Sequence, residues 1–134
     1  VTPTTASPLA PERPLGAVAG ARLLVGDYVE LTKPKVQSLL LLTTVTTMEV
    51  AGDPSVGRVA LCCVGGYLSA GGAGAVNHVL DRDIDAVMAR TSGRPVASGR
   101  VSPRAGLVFG VGLAAGSFAL MALTLNVLAA VLAL

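Results

Sequence analysis

Apolar and polar residues divide the chain into three apolar stretches with short polar segments between them. Val59 to Leu80 carries no charged residue and as a helix would rise about 33 Å, enough to cross the hydrocarbon layer of a bilayer. Ala105 to Leu134 is also free of charge but too long for one ordinary helix. Asn126 is the expected break, which gives a span over 105–125 and the start of another from Val127. Ser102 and Pro103 suit the start of that span as N-cap and first helical residue. Val36 to Ala51 is weaker, because its charge-free run ends at Met48, short of the roughly 20 residues a span needs. Either Glu49 lies at an interface, or the helix begins earlier and passes Pro34 with a kink, which membrane helices tolerate. The expected fold is all-α, a polytopic transmembrane helix bundle with three spans and the start of a fourth.

Ahead of these stretches, residues 1–20 hold four prolines and little apolar periodicity, and read as a disordered lead. No charged start precedes an apolar run of suitable length, so the lead does not read as a signal peptide. A mildly amphipathic approach follows, "ARLLVGDYVELTKPKV", in which Lys33 and Lys35 read as interfacial anchors. The chain thus divides into a lead over 1–20 and one helical domain over 21–134.

Composition supports lipid as the surroundings. Of 134 residues 52% are hydrophobic and only 13% charged, about half the charge of a soluble domain. The mean hydropathy is +0.70. The 16 glycines suit close helix approach in lipid. Gly71 with Ala75 and Gly66 with Ala70 offer such packing at four-residue spacing. The net charge of +2 is too small to point to nucleic acid. Cys62 and Cys63 point about 100° apart on a helix and read as two buried thiols. The first residue is Val, and Leu134 falls inside an apolar run, so the chain is expected to be a truncated part of a longer protein.

Basic residues set the expected orientation. Arg13, Arg22, Lys33 and Lys35 precede the first stretch, and Arg82, Arg90, Arg94, Arg100 and Arg104 join the second to the third. The turn "GDPSVGR" holds only Arg58. The lead and the arginine-rich connection are therefore expected on the cytoplasmic side.

That connection begins with the most chemically loaded stretch, "NHVLDRDIDAVMARTSGRP". If the helix continues past Leu80, steps of four residues turn only about 40°, so Asn77, Asp81 and Asp85 share a face and Asp83 lies opposite. Carboxylates at i and i+4 repel by about 0.2–0.5 kcal/mol on an exposed helix, but they become useful around a divalent cation. Mg²⁺ takes oxygen ligands, commonly one or two carboxylates with waters and substrate phosphates. Arg90 and Arg94 follow in a polar loop suited to phosphate oxygens. A strand would instead align all three aspartates, but an open strand does not continue a membrane span. A calcium loop would need glycine at Ala86 and glutamate at Ser92. A solvated loop whose charges only set topology stays open as an alternative. His78 reads as a histidine hydrogen-bonded at a helix end, with a haem contact or a proton-transfer group as the functional alternatives.

"NHVLDRDIDAVMARTSGRPVASGRVSP", with "YVELTKPKV" before the first stretch, resembles the UbiA superfamily of intramembrane prenyltransferases. The superfamily pattern N-x-x-x-D-x-x-x-D is met by Asn77, Asp81 and Asp85, and Asp83-Ile84-Asp85 with Met88 favours the haem O synthase (protohaem IX farnesyltransferase) branch. The resemblance implies nine spans around a cavity and two Asp-rich motifs holding Mg²⁺ and the diphosphate of an allylic donor. The implied reaction transfers farnesyl from farnesyl diphosphate to a vinyl group of haem b in the inner cell membrane. Asp81 and Asp85 would be catalytic, Asn77, Asp81 and Asp85 would hold the metal, and Arg90, Arg94 and Arg82 would contact the diphosphate. Asp83 and Lys33 form a second tier. The lipid bilayer is an implied partner, as are proteins of the haem pathway or of oxidase assembly. The second Asp-rich motif is not in this sequence, so the chain alone is expected to be inactive. An aromatic acceptor of the 4-hydroxybenzoate type, or a non-catalytic membrane segment, are the competing readings.

Overall fold

The structure is a computed structural model that describes residues 17–134; most of the proline-rich lead lies outside the described residues. Ala17–Gly20, assigned above to that lead, instead open a helix, since no proline follows Pro14 until Pro34 and nothing there bars helical backbone. In order, the elements are α1 (Ala17–Leu31), α2 (Pro34–Ala51), α3 (Val56–Leu80), α4 (Arg82–Val87), α5 (Pro103–Thr124) and α6 (Val127–Leu132). No strand occurs among the described residues.

The helix breaks follow from local chemistry. Pro34 has no N–H and disfavours right-handed helical backbone at the residue before it. Lys33 accordingly sits in the left-handed region at φ 52°, ψ 59°, a conformation costing about 1–2 kcal/mol for a residue with a Cβ. The chain therefore breaks at Thr32-Lys33 and does not run through Pro34 with a kink. The Thr32 and Lys33 amides donate to the carbonyls of Val29 and Glu30, and Gln37 Nε2 donates to the Thr32 carbonyl at 3.1 Å. Ser55, Ser102 and Asn126 each cap the following helix through a side-chain oxygen, which accepts from Arg58, Ala105 and Ala129 N–H respectively. The expected break at Asn126 and the start at Ser102-Pro103 are both present.

α3 and α5 form the spine, and each is long and apolar enough to cross a membrane. Their seam is made of small residues. A Cβ on Gly72 would lie 2.6 Å from the Gly110 carbonyl oxygen, and one on Gly110 would lie 2.8 Å from the Gly72 carbonyl oxygen. Gly65 faces the Met121 side chain, and Ser117 Oγ donates to the Gly65 carbonyl at 2.7 Å. The tight α3 stripe is therefore Gly65, Ser69, Gly72 and Val76. Of the pairs expected from spacing, Gly71 packs on Thr32, while Gly66 meets only Leu41 at van der Waals range. α6 folds back on α5, and Ser69 Oγ of α3 donates to the Ala133 carbonyl.

α2 falls below the same spanning standard, because Lys35, Gln37 and Glu49 towards its ends lower its hydropathy and Thr43, Thr44, Thr46 and Thr47 add to this in the middle. Their hydroxyls donate to the carbonyls of Leu39, Leu40, Leu42 and Thr43 at 2.8–3.0 Å. No hydroxyl hydrogen on this face is left to solvent. Val36, Leu39, Leu40 and Leu42 on α2 are exposed, as are Leu107, Val108 and Val111 on α5, the surface expected of helices that face lipid or further helices.

Candidate functional site

The polar residues gather at one end of the bundle. There the C-terminus of α3, the short α4, the turns over 88–102, the start of α5 and the α1–α2 break meet. An apolar cluster organises this end: Leu31 of α1, Ala75 of α3, and Val96 and Val101 of the turns, flanked by Tyr28, Val79, Ala105 and Phe109. The Tyr28 and Phe109 rings meet edge to face at 4.9 Å. Thr32 Oγ1 and the Tyr67 hydroxyl share a hydrogen bond of 3.0 Å. A groove of about 480 Å³ opens beside them, lined by Tyr28, Val29, Thr32, Tyr67, Phe109 and Leu113 among others.

α3 ends at Leu80, yet helical hydrogen bonding continues through the junction. The Asp81 amide donates to the Asn77 carbonyl at 2.9 Å, and the Asp85 amide to the Asp81 carbonyl at 2.8 Å. Asn77, Asp81 and Asp85 thus follow one another at successive turns, as their spacing predicts. Their surroundings differ. Asn77 and Asp81 are exposed, whereas Asp85 is 4% exposed. Both Asp85 carboxylate oxygens accept from Arg94 Nη1, at 2.9 and 2.8 Å, and Thr91 Oγ1 donates to the Asp85 carbonyl. Burial pushes the Asp85 carboxyl up, but the Arg94 guanidinium outweighs it and holds the group below the usual aspartate value.

The remaining sequence-derived candidates fall into separate settings. Asp83 is exposed and lies 3.5 Å from Arg82. Arg90 is exposed and makes no ion pair among the described residues. The aliphatic stem of Lys33 runs over Gly74, where an added Cβ would sit 3.8–3.9 Å from it and 3.0 Å from the Leu31 carbonyl oxygen. His78 is 3% exposed and its Nδ1 has no hydrogen-bond partner, unlike the bonded histidine expected at this helix end. Lys33, Arg94, Asp85 and Asp81 all lie within electrostatic reach of it.

The donor types suit a hard cation in part. Asn77 and Asp81 present an amide and a carboxylate oxygen to the outside, which fits an ion that keeps waters and substrate phosphates as its other ligands. A cage of three or more acidic, histidine or cysteine side chains does not occur among the described residues.

One set of residues escaped the reading of the sequence. Arg100, taken there only as a topological charge, binds Asp27 of α1 at 2.6 Å and lies 3.6 Å from Glu30. Asp27 and Glu30, the two acidic residues of α1, sit three residues apart and so share a face. That spacing, opposite a run of arginines, was the available signal.

Comparison with known proteins places the chain in a family. The chain is 53% identical over 125 residues to the protoheme IX farnesyltransferase of Streptomyces avermitilis, covering 92% of this chain and 39% of that protein. It is 52% identical over 124 residues to the protein of the same name from Streptomyces coelicolor, covering 91% and 38%. It is 59% identical over 92 residues to that of Chloroflexus aurantiacus, covering 67% and 16%. The chain therefore spans less than two fifths of the length of these relatives. No solved structure matches it. The pattern of the UbiA prenyltransferase family, a family of membrane proteins, matches residues 39–134, across α2, α3, α4, α5 and the Asp/Arg turns, and the chain belongs to that family.

Proposed function

We propose that the full-length protein carrying this chain is a Mg²⁺-dependent protohaem IX farnesyltransferase of the inner cell membrane, and that residues 77–94 form one half of its diphosphate site. The observation that carries this reading is the exposed Asn77–Asp81 pair beside the arginine-rich turns, in a chain about half identical to relatives bearing that name. The Asp/Arg end faces the cytoplasm, where a soluble diphosphate can approach while its isoprenoid chain stays in apolar surroundings. The groove beside Thr32 and Phe109 offers such walls.

In the proposed reaction the bond between farnesyl C1 and the diphosphate oxygen breaks, and C1 bonds to the terminal carbon of a haem b vinyl group. Water adds its oxygen to the other vinyl carbon, one proton is released, and diphosphate leaves. Asn77 and Asp81 would hold Mg²⁺, and Asp85, next in the same helical line, would serve as a third oxygen source only by sharing an oxygen already bonded to Arg94. Bound Mg²⁺ supplies positive charge against the diphosphate. Arg90, exposed and without an ion-pair partner among the described residues, receives diphosphate oxygens directly, and Lys33 adds a cation from the α1–α2 break. Arg94 contributes charge while anchored on Asp85, so its guanidinium is oriented before substrate arrives. Arg82 and Asp83, paired at the exposed edge of α4, form an outer tier. Proteins of the haem pathway or of oxidase assembly are natural neighbours for a membrane enzyme releasing so apolar a product.

The test is to give the full-length protein farnesyl diphosphate with haem b, then with 4-hydroxybenzoate. Farnesylated haem from the first mixture alone is expected, falling at least about 100-fold in Asp81→Asn. Product from the aromatic acid, or an unaffected Asp81→Asn variant, refutes the assignment. The 134-residue chain by itself is expected to give no product.

A further inference from the structure

The most connected side chain at the polar end is Arg100. Its Nη1 lies 2.6 Å from Asp27 Oδ1, its Nη2 donates to the Gly93 carbonyl at 2.7 Å and lies 3.6 Å from Glu30 Oε2, and its Nε donates to Ser98 Oγ at 3.1 Å. One guanidinium thus ties α1 to both limbs of the turn that carries Arg94. Asp27 is only 7% exposed, so a half-exposed arginine is fixed on a buried carboxylate. The turn is closed on itself by the Ser98 amide donating to the Arg94 carbonyl and the Val101 amide donating to the Pro95 carbonyl. Its Val96 and Val101 rest on Leu31. Two residues beyond Leu31 comes Lys33, and immediately after Gly93 comes Arg94. The two cations stand on elements far apart in sequence that Arg100 joins directly.

We infer that Arg100 is a positioning residue, a latch to Asp27 and Glu30 that holds the Arg94 turn against the end of α1, so that Lys33 and Arg94 face the same diphosphate. The inference rests on the prenyltransferase reading above. Arg100 does not itself touch substrate: all three of its nitrogens are engaged by protein groups. A lysine has a single nitrogen and could not reach Asp27, Gly93 and Ser98 together, so conserving charge does not conserve the latch.

The test uses the full-length protein with Arg100→Gln, Arg100→Lys, Asp27→Asn and the double variant Asp27→Asn/Arg100→Gln. Each single variant is expected to raise KM for farnesyl diphosphate about tenfold while kcat changes less than about threefold. The double variant is expected to be no worse than the worse single variant, because both remove the same contact. Amide hydrogen exchange over residues 93–101 should quicken in all four. If Arg100→Gln fails to fold, Asp27→Asn opens the latch with the arginine still in place. Unchanged KM, additive effects, or unchanged exchange would overturn the latch. If Asp81→Asn retains full transfer, the prenyltransferase reading fails instead, and the exchange measurement still decides whether Arg100 holds the turn.

Discussion

Midway along α3, Gly72 approaches α5 because it has no side chain. At the end of the same helix, the chain is held by side chains with opposite charges. The seam uses carbonyl oxygens placed where any Cβ would collide, and it contains no ion pair. The polar end uses Asp85 with Arg94, and Arg100 with Asp27, around a small apolar cluster. The difference follows from what each region excludes. Within lipid, helices gain little from burying apolar side chains against each other, so close contact between backbones has to hold them. At the membrane boundary charges are available, and a pair of them fixes direction as well as distance.

The comparison breaks most visibly at Gly72. Gly72→Leu is expected to separate α3 from α5 and to destabilise the full-length protein by about 3 kcal/mol or more, since the obstacle is backbone. Gly112→Leu is the control: a Cβ there meets nothing within 4 Å, and its melting temperature in detergent should be unchanged. If the two variants melt alike, the seam is not where the helices are held.

At the polar end, Arg94→Gln leaves a buried carboxylate without its partner and should lower the melting temperature clearly. The double variant Asp85→Asn/Arg94→Gln should recover part of that loss, because no unpaired charge remains. A double variant no more stable than Arg94→Gln would show that the pair does not act as a unit. The same pair has a pH signature. The Asp85 value in the folded protein is lowered, so its contribution is fully present above the ordinary value of 3.8 and is lost as pH falls through the lowered one. The melting difference between wild type and the double variant should therefore shrink on acidification below that range and stay constant at neutral pH.

A smaller effect tests the boundary between the two regions. Ser102→Ala removes the oxygen that accepts from the Ala105 amide, and should cost about 1 kcal/mol with little change at the seam.

What the sequence revealed was mostly local. The break at Asn126 and the start at Ser102-Pro103 depend on residues within one helical turn, and both are found. The helical line through Asn77, Asp81 and Asp85 also follows from spacing alone. Pro34 was ambiguous, because the same residue permits a kink or a break; the break shows in the left-handed Lys33 before it, and the Thr32 hydroxyl in that break meets Tyr67 of α3, a contact no local pattern announces. Spacing likewise ranked Asp81 and Asp85 as equals. Only the return of Arg94 from beyond Thr91 makes one buried and leaves the other open. The Arg100–Asp27 contact was least legible: the spacing of Asp27 and Glu30 signals that a cation should meet them, but not which of the arginines in the turns does so. The glycine stripe fell between these cases: periodicity showed that close packing was available, but several registers satisfied it.

The threonines of α2 carry a last consequence. A transfer scale scores a residue as if its polar atoms met the surroundings, and by that score α2 is the least lipid-compatible of the three long helices. Four hydroxyls already bonded to their own helix present mainly methyl groups outward. The helix is thus more oil-like in its folded form than as an extended chain, and its compatibility with a bilayer depends on its being helical before it meets lipid.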